Sequence, residues 1–550
     1  MGEEKEGAAA AALAARADAL GAARARWAAS WCGVGPVPAC APRALQLLCR
    51  GPRYSPDEAR EVGAVLGALA RGYWSARVLD GAGRAWRGEP DLERLMRASR
   101  DPRVLRWAWL RWRDAAGPPA RPLYRRLVPL LNSGARRAGY ADAGALWRAE
   151  LETPGLRAQA RRLLARVQPL FALLHAVVRA RLPQRYPGCC PPHAPLPAHL
   201  LGDLWAQDWS SLWRLLAPAA PDLTAALRGA GLSVRGMAER AEDVFRSLGL
   251  PRLPPAFWRR SQLRADAPAG CHGTAANMFR PGDYRIRFCA EVDENDFYVI
   301  HHELGHIQYY MAYRNQPVIF QDGANSAFQE AVGDAVTLGV WTPQHLLRLG
   351  LVNDSVSPEV LGAQLLVRQA LRQLPQLTFA LALEEWRWGV FAGEVPPDRY
   401  NGAWWALRRS LQGVCPPARR DEADFDPAAK FHVPDNTPYI RYFLSGLLQV
   451  QMFKALCEIA VLGGVGRGPL PFPLHQCDIY GSQRAGRKLR EMMSLGASRH
   501  WTDALFTLTG TRELSAEPLL EYFAPLVPWL RAQLRLHNAS LGWGDCPHDY

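Results

Sequence analysis

The stretch VIHHELGHIQYY, residues 299–310, places the strongest constraint on how this 550-residue chain can fold. His302 and His306 are four residues apart, so on a helix their side chains lie on one face, a single turn from each other. Two imidazoles in that arrangement can bind one metal ion, with Glu303 beside it. The spacing therefore predicts a helix that carries part of a zinc site. The alternative is an ordinary amphipathic helix with a chance match to this short pattern.

A catalytic zinc site needs a third protein ligand and an open position for water. Tyr309 and Ala312 occupy the positions where a metzincin has glycine and its third histidine, so that pattern is excluded. The segment NSAFQEAVGDAV has a helical pattern and offers Glu330 as the third ligand. Asp334, one turn later, is predicted to accept the free ring N–H of a ligating histidine. The alternative for both carboxylates is a solvated acidic helix face.

Apolar residues recur with helical spacing along most of the chain, as in DLWAQDWSSLWRLL from Asp203 and IRYFLSGLLQVQMFKALC from Ile440. Strand patterns are few and short, and no Gly/Ser linker divides the chain. These patterns predict one large, mostly α-helical unit.

The formal net charge of +14 raises the alternative of a protein that binds nucleic acid or heparin. Only four of the 66 basic residues are lysines, and the arginines are scattered among Ala, Gly and Pro instead of forming a stripe. We therefore expect no nucleic-acid partner.

Sequence signals for membrane insertion and for secretion do not all agree. No uncharged apolar run reaches the ~18 residues that span a bilayer, and the acidic, alanine-rich N-terminus differs from a signal peptide. The sequence thus predicts neither a transmembrane segment nor a leader in this chain. Sequons at Asn353 and Asn538 are compatible with a secreted glycoprotein, whereas the eleven cysteines alone fit either redox compartment.

Several separate motifs carry a family resemblance: HHELGHIQYY, FQEAVGDA, WRWGVFAGEVPPDRYNGAWWALRRSLQGVCPP and AKFHVPDNTPYIRYF. Together they resemble the angiotensin-converting enzyme family of zinc peptidases, over about residues 46–545 and most densely over 271–477. The resemblance implies a mostly α-helical ellipsoid with a deep central substrate channel. It also implies an N-terminal helical lid, which we expect in the divergent residues 1–45, with the peptidase domain in 46–550.

The resemblance implies removal of C-terminal dipeptides from short peptides, such as angiotensin-like or kinin-like hormones. Glu303 would then be the general base, and His432 and Tyr442 would stabilise the oxyanion. The residues implied to bind substrate are Gln207, Lys430 and Tyr439 at its terminal carboxylate, and His272 and Ala275 along its backbone. A related carboxypeptidase branch carries arginine in place of Gln207, so glutamine favours dipeptide release.

Chloride activation and disulfides are implied in the same way. The matching chloride residues are Arg148 with Trp404 and Arg408 for one site, and Arg441 for a second site, where Val177 replaces a tyrosine. The matching disulfides are Cys271–Cys289 and Cys457–Cys477, which imply an oxidising compartment. Near the substrate, Gln376 and Gly446 replace bulky aromatic residues, and Gln329 replaces a histidine before Glu330. We expect looser apolar packing there and a shifted preference among peptides.

The resemblance further implies a monomeric enzyme that works outside the cell or at its surface. The alternative is a catalytically weak or inactive family member that serves as a binding or adhesion ectodomain. The intact Glu303 and the three predicted zinc ligands argue against that alternative.

Overall fold

The computed structural model describes residues 42–263 and 273–546. Most of them form α-helices, as predicted, and the expected lid in residues 1–45 lies almost entirely outside the described part of the chain. The helices are α1 (Pro42–Cys49), α2 (Pro56–Ser75), α3 (Glu93–Ala98), α4 (Pro102–Arg137), α5 (Ala143–Glu150), α6 (Leu156–Arg181), α7 (Trp213–Leu216), α8 (Leu223–Gly229), α9 (Val234–Ser247), α10 (Pro255–Arg260), α11 (Glu294–Tyr313), α12 (Ser326–Val340), α13 (Pro343–Arg348), α14 (Pro358–Ala392), α15 (Tyr400–Gln412), α16 (Ile440–Leu462), α17 (Gln483–Ser494), α18 (Trp501–Thr509), α19 (Glu517–Phe523) and α20 (Leu526–Leu536).

Short strands form three two-stranded sheets within the described residues. The strands are β1 (Val78–Leu79), β2 (Ala85–Trp86), β3 (Leu196–Pro197), β4 (Thr274–Asn277), β5 (Tyr284–Arg287) and β6 (Val414–Cys415). The pairs β1–β2 and β4–β5 are antiparallel, whereas β3 and β6 are parallel. Strand β4 lies against α11, the helix that contains the HELGH motif.

Side-chain caps fix where the two motif-bearing helices begin. The Asp293 carboxylate accepts the backbone N–H of Asp296 at 2.7 Å and so caps α11. The Asn325 amide oxygen accepts the N–H groups of Ala327 and Phe328 and so caps α12. Each cap contributes about 1 kcal/mol by satisfying N–H groups that have no partner inside the helix. The caps thereby set the register of the two helices.

Two glycines allow α11 and α12 to cross in backbone contact. A Cβ atom on Gly305 would lie 2.2 Å from the Cα of Gly333. A Cβ atom on Gly333 would lie 2.5 Å from the backbone oxygen of His302. Helix α12 also packs extensively on α16. The crossing therefore brings the HELGH turn directly against the turn that contains Glu330.

Two long apolar segments, Leu156–Gln184 and Ile440–Leu462, have the length and composition of membrane-spanning helices. In the most apolar stretch of the first segment 61% of the residues are buried within the protein, and in that of the second segment 78% are buried. Such burial is typical of helices in a protein core.

Disulfides tie distant parts of the chain together. The predicted Cys457–Cys477 bond is present. Cys289 is disulfide-bonded, and its predicted partner Cys271 lies outside the described residues. A further bond, Cys415–Cys546, joins β6 to the C-terminal segment and was not predicted.

Candidate active site

The three predicted zinc ligands converge at the crossing of α11 and α12. Nε2 of His302 lies 3.4 Å and Nε2 of His306 lies 3.9 Å from Oε2 of Glu330. All three candidate ligand atoms lie within 4.8 Å of one another. Two imidazole nitrogens and one carboxylate oxygen form a donor set typical of catalytic zinc. The residues present therefore fit this metal.

Asp334 orients His302. Its Oδ1 lies 2.8 Å from Nδ1 of His302, so the Nδ1–H donates to the carboxylate and Nε2 faces Glu330. Burial favours neutral His302, but Asp334 and Glu330 outweigh burial and raise the pKa of His302 well above its ordinary value. Burial likewise opposes ionisation of Glu330, yet His302, His306 and Arg441 lower the pKa of Glu330 to about 2. Without metal the site therefore pairs the Glu330 carboxylate with a protonated and oriented His302, and a bound metal ion would replace the proton on Nε2.

Replacing this orienting carboxylate gives a test of the metal site. We expect Asp334→Asn to lower zinc affinity by about 10–100-fold, because a neutral amide neither fixes the tautomer nor strengthens the imidazole donor as well. Competition with a chelator of known zinc affinity measures the change. The control is Asp398→Asn, at an exposed carboxylate, and equal zinc affinity in both variants would contradict the assigned role of Asp334.

Glu303 lies on the same turn as the two histidines and is buried. Among the described residues, its Oε2 atom has no hydrogen-bond partner. A Cβ atom on Gly273 would lie 3.1 Å from Oε1 of Glu303, so this carboxylate is close to the segment that leads into β4. A buried carboxylate oxygen that lacks a partner beside three metal ligands is suited to accept a proton from water.

Strand β4 forms one edge of its two-stranded sheet, as the predicted backbone pairing with substrate requires. Ala275 pairs with Ile286 of β5, and its carbonyl oxygen accepts a hydrogen bond from Tyr310 at 3.4 Å. His272, the other residue predicted to contact substrate here, lies outside the described residues.

A buried aspartate organises the loop that carries Gln207. Asp203 accepts the backbone N–H groups of Trp205, Gln207 and Asp208 at 2.9–3.2 Å. The side chain of Gln207 then accepts a hydrogen bond from the Tyr439 hydroxyl at 3.0 Å. Asp203 was not among the predicted site residues, because the apolar residues 204–206 that follow it show no turn pattern, although aspartate commonly accepts nearby backbone N–H groups in loops.

Lys430 is held in an aromatic environment beside these residues. Its Nζ atom lies 3.7 Å from the centre of the Trp205 ring and 5.9 Å from the centre of the Tyr439 ring. The indole N–H groups of Trp205 and Trp112 both donate to the carbonyl oxygen of Ala429, which fixes the backbone next to Lys430. Burial lowers the pKa of Lys430, while nearby carboxylates oppose that effect. The structure thus brings Gln207 and Tyr439 together near the Lys430 ammonium group.

The predicted oxyanion pair is also in contact. Nε2 of His432 lies 3.0 Å from the hydroxyl of Tyr442. Burial and the charge of Glu330 raise the pKa of Tyr442 well above its usual value, so its hydroxyl keeps the proton that a donor needs. The Tyr442 ring also lies 4.6 Å from the Tyr439 ring. This aromatic cluster therefore connects the zinc ligands to the Gln207–Lys430–Tyr439 group.

Each predicted chloride residue contacts an aromatic ring, a backbone carbonyl group or a carboxylate. Arg148 lies over the Trp388 ring, whereas Arg408 packs against Trp404 and donates to the backbone oxygen of Trp205. Two charged groups interact with Arg408, the Asp203 carboxylate and Arg113, and Arg113, which was not predicted, donates to the backbone oxygen of Leu204. Burial lowers the pKa of each of these two arginines to about 9. Arg441 lies 3.9 Å from Glu330.

The positions where small or polar residues replace aromatic ones are partly filled. Gln376 donates to the Tyr439 hydroxyl at 3.4 Å. A Cβ atom on Gly446 would lie 2.8 Å from the side chain of Leu377, so Leu377 occupies some of the space that a larger side chain would need. Gln329, which replaces a histidine, places its Oε1 atom 3.4 Å from Nδ1 of His306.

Comparison with known proteins gives consistent matches. The family model Peptidase_M2, described as angiotensin-converting enzyme, matches residues 43–543. The chain is 41% identical to angiotensin-converting enzyme of Bos taurus over 494 residues, which cover 88% of this chain and 37% of that protein. It is 40% identical to angiotensin-converting enzyme-like protein Ace3 of Mus musculus, over 83% of this chain and 62% of that protein. It is 37% identical to angiotensin-converting enzyme of Theromyzon tessulatum, over 86% of this chain and 78% of that protein.

Proposed function

Because this chain belongs to the angiotensin-converting enzyme family of peptidases, we propose that it is a zinc-dependent peptidyl-dipeptidase that acts on short peptides. The observation that carries the proposal is the contact between the Tyr439 and Tyr442 rings, which connects Lys430 to the predicted zinc ligands. Lys430 Nζ lies 5.9 Å from the centre of the Tyr439 ring, which lies 4.6 Å from the Tyr442 ring. Tyr442 is close enough to Glu330 for the charge of that carboxylate to raise the pKa of Tyr442. A zinc ligand set and a buried cation at a fixed separation suit cleavage at a fixed distance from a C-terminal carboxylate.

In this proposal the chain's own residues move the proton and hold the charge. Zinc bound by His302, His306 and Glu330 would supply a Lewis acid that acidifies water. Glu303 accepts the water proton and passes it to the departing amine. The Tyr442 hydroxyl, oriented by His432, donates to the carbonyl oxygen that gains negative charge.

Lys430, Gln207 and Tyr439 would select substrates by their free C-terminus. The Lys430 ammonium supplies the charge, while the amide N–H of Gln207 and the hydroxyl of Tyr439 are neutral donors. Low local dielectric strengthens the attraction between the Lys430 ammonium and a carboxylate. We propose angiotensin-like and kinin-like peptides as substrates, in keeping with the family.

We also propose that an activating chloride lies by Arg408 and Arg113, because the repulsion of buried Arg408 by Arg113, which outweighs its attraction to the Asp203 carboxylate, favours a further anion. These arginines bind the carbonyl groups of Leu204 and Trp205, just before Gln207. Chloride would then stabilise the loop that holds the substrate carboxylate.

The proposed enzyme works as a monomer outside the cell or at its surface. The disulfides Cys415–Cys546 and Cys457–Cys477 support an oxidising compartment. Exposed Asn353 and Asn538 stand in acceptor sequons and would carry glycans there.

The decisive experiment compares two forms of a tripeptide with a blocked N-terminus. One form has a free C-terminal carboxylate, and the other has a C-terminal amide. We expect zinc-loaded protein to release a dipeptide from the free acid and to cleave the amide at least about 100-fold less efficiently, because the amide lacks the charge that Lys430 binds. Liquid chromatography with mass spectrometry identifies the product. A chelator should stop release and added zinc should restore it.

The variant Lys430→Met separates substrate selection from catalysis. It should lower kcat/KM for the free acid and leave the slow cleavage of the amide nearly unchanged, while zinc content stays the same. Release of a single C-terminal residue, or equal cleavage of acid and amide, would overturn the proposal of dipeptide release.

A further inference from the structure

Two adjacent cysteines, Cys189 and Cys190, lie in the loop that connects α6 to β3 and stand apart from the peptidase site. Both side chains are half-buried and reduced. Their Sγ atoms are 2.8 Å apart, so both sulfurs point to the same side of the chain. Gly188, Pro191 and Pro192 around them are exposed, which gives small reagents access to the pair.

The pair differs from the disulfides of the same protein in its backbone spacing. The Cα atoms of Cys415–Cys546 are 5.9 Å apart and those of Cys457–Cys477 are 6.2 Å apart, both inside the usual range for a disulfide. Adjacent Cα atoms are separated by only about 3.8 Å across a trans peptide. A bond between Cys189 and Cys190 would therefore be strained and easier to reduce.

The contact also couples the ionisation of the two thiols. Either sulfur can donate to the other, so a thiolate that forms at one position accepts a hydrogen bond from its neighbour. The contact with Cys189 and burial raise the pKa of Cys190, and the charge of Arg179 opposes them. One sulfur of the pair can therefore react with an oxidant, and the other is placed to attack the disulfide so formed.

We propose that Cys189 and Cys190 form a redox site, a vicinal dithiol that small disulfides such as glutathione disulfide oxidise to a vicinal disulfide. One thiolate of the pair attacks one sulfur of the oxidant and releases one thiolate. The second sulfur of the pair then attacks the first, forms the Cys189–Cys190 bond and releases the second thiolate. The protein loses two electrons and two protons, and the oxidant becomes two thiols.

The loop that carries the pair and the preceding end of α6 together hold the C-terminal segment. The backbone oxygen of His193 accepts the N–H of Gly544 at 2.7 Å, and Arg179 donates to the carbonyl groups of Ser540 and Gly542. A disulfide between Cys189 and Cys190 closes a small ring that includes their peptide bond, and this ring restricts the backbone there. Oxidation would therefore alter how firmly residues 540–544 are held.

The test equilibrates the full chain in glutathione buffers of graded ratio, traps free thiols with an alkylating reagent and maps the peptides by mass spectrometry. We expect a linked Cys189–Cys190 peptide lighter by two hydrogen atoms. We also expect it to be reduced at a glutathione ratio at least about tenfold more oxidising than the one that reduces Cys457–Cys477. Free thiols at both positions in every buffer would overturn the proposal.

A trivalent arsenical such as phenylarsine oxide tests the reduced form independently, because it bridges two neighbouring thiols. The native protein should retain one arsenic per chain after gel filtration, and preoxidation with glutathione disulfide should block this. Cys189→Ser and Cys190→Ser should each abolish retention and keep peptidase activity, and the double variant is the control. Retention of arsenic by the double variant would place the dithiol elsewhere and overturn the proposal.

Discussion

Glu303→Gln is expected to reduce peptide hydrolysis by about 10²–10⁴-fold while the protein still binds zinc. Glutamine has nearly the same size as glutamate and leaves His302 and His306 in place, but its amide does not accept the water proton. The effect should therefore appear in kcat with little change in KM. Initial rates on the blocked tripeptide, measured together with zinc content, give both quantities.

The matched control is Glu239→Gln, which makes the same chemical change at an exposed position on α9. It should retain full activity and full zinc content. Turnover by Glu303→Gln at the rate of this control would contradict the assignment of Glu303 as the general base. Loss of zinc from Glu303→Gln would instead show that the carboxylate holds the metal site together.

Gly333→Ala is expected to destabilise the protein by at least about 3 kcal/mol and to impair zinc binding. In an open helix the change would stabilise by about 1 kcal/mol, because alanine has the higher helix propensity. Here the new Cβ atom would lie 2.5 Å from the backbone oxygen of His302, so α12 must move away from α11. That movement separates Glu330 and Asp334 from His302. Urea denaturation and zinc content measure the two effects.

Gly63→Ala on α2 provides the control for the helix-propensity contribution. No atom lies within 4 Å of the Cβ position at Gly63, so this variant should be as stable as the native protein or more so. If Gly333→Ala matched its stability and its zinc content, the close crossing of α11 and α12 would not be needed to assemble the zinc ligands.

The part of the site that lies on regular helices could be predicted from sequence. The helical period alone places His302 and His306 on one helix face. The same spacing of four residues places Glu330 and Asp334 on one face of the next amphipathic segment. The structure places both pairs together, with Asp334 2.8 Å from His302. The reason is that helix geometry fixes which residues share a face before any tertiary contact forms.

The contacts between distant loops could not be predicted in that way. Arg113 and Arg408 are neighbours because α4 and α15 both reach the loop at Leu204 and Trp205. Nothing periodic in the sequence distinguishes Arg113 from the many exposed arginines nearby. The Trp205 ring under Lys430 likewise depends on how Asp203 folds its loop. Only the assembled core determines these neighbours.

The Cys415–Cys546 bond affects how the protein would tolerate proteolysis. Arg467 lies in an exposed glycine-containing loop, where a trypsin-like enzyme would cleave. The cut falls inside the segments closed by both Cys415–Cys546 and Cys457–Cys477, so the two fragments stay covalently joined. A nicked molecule would therefore migrate as one band until a reductant is added, and its C-terminal fragment would stay bound to the fragment that carries the whole proposed peptidase site.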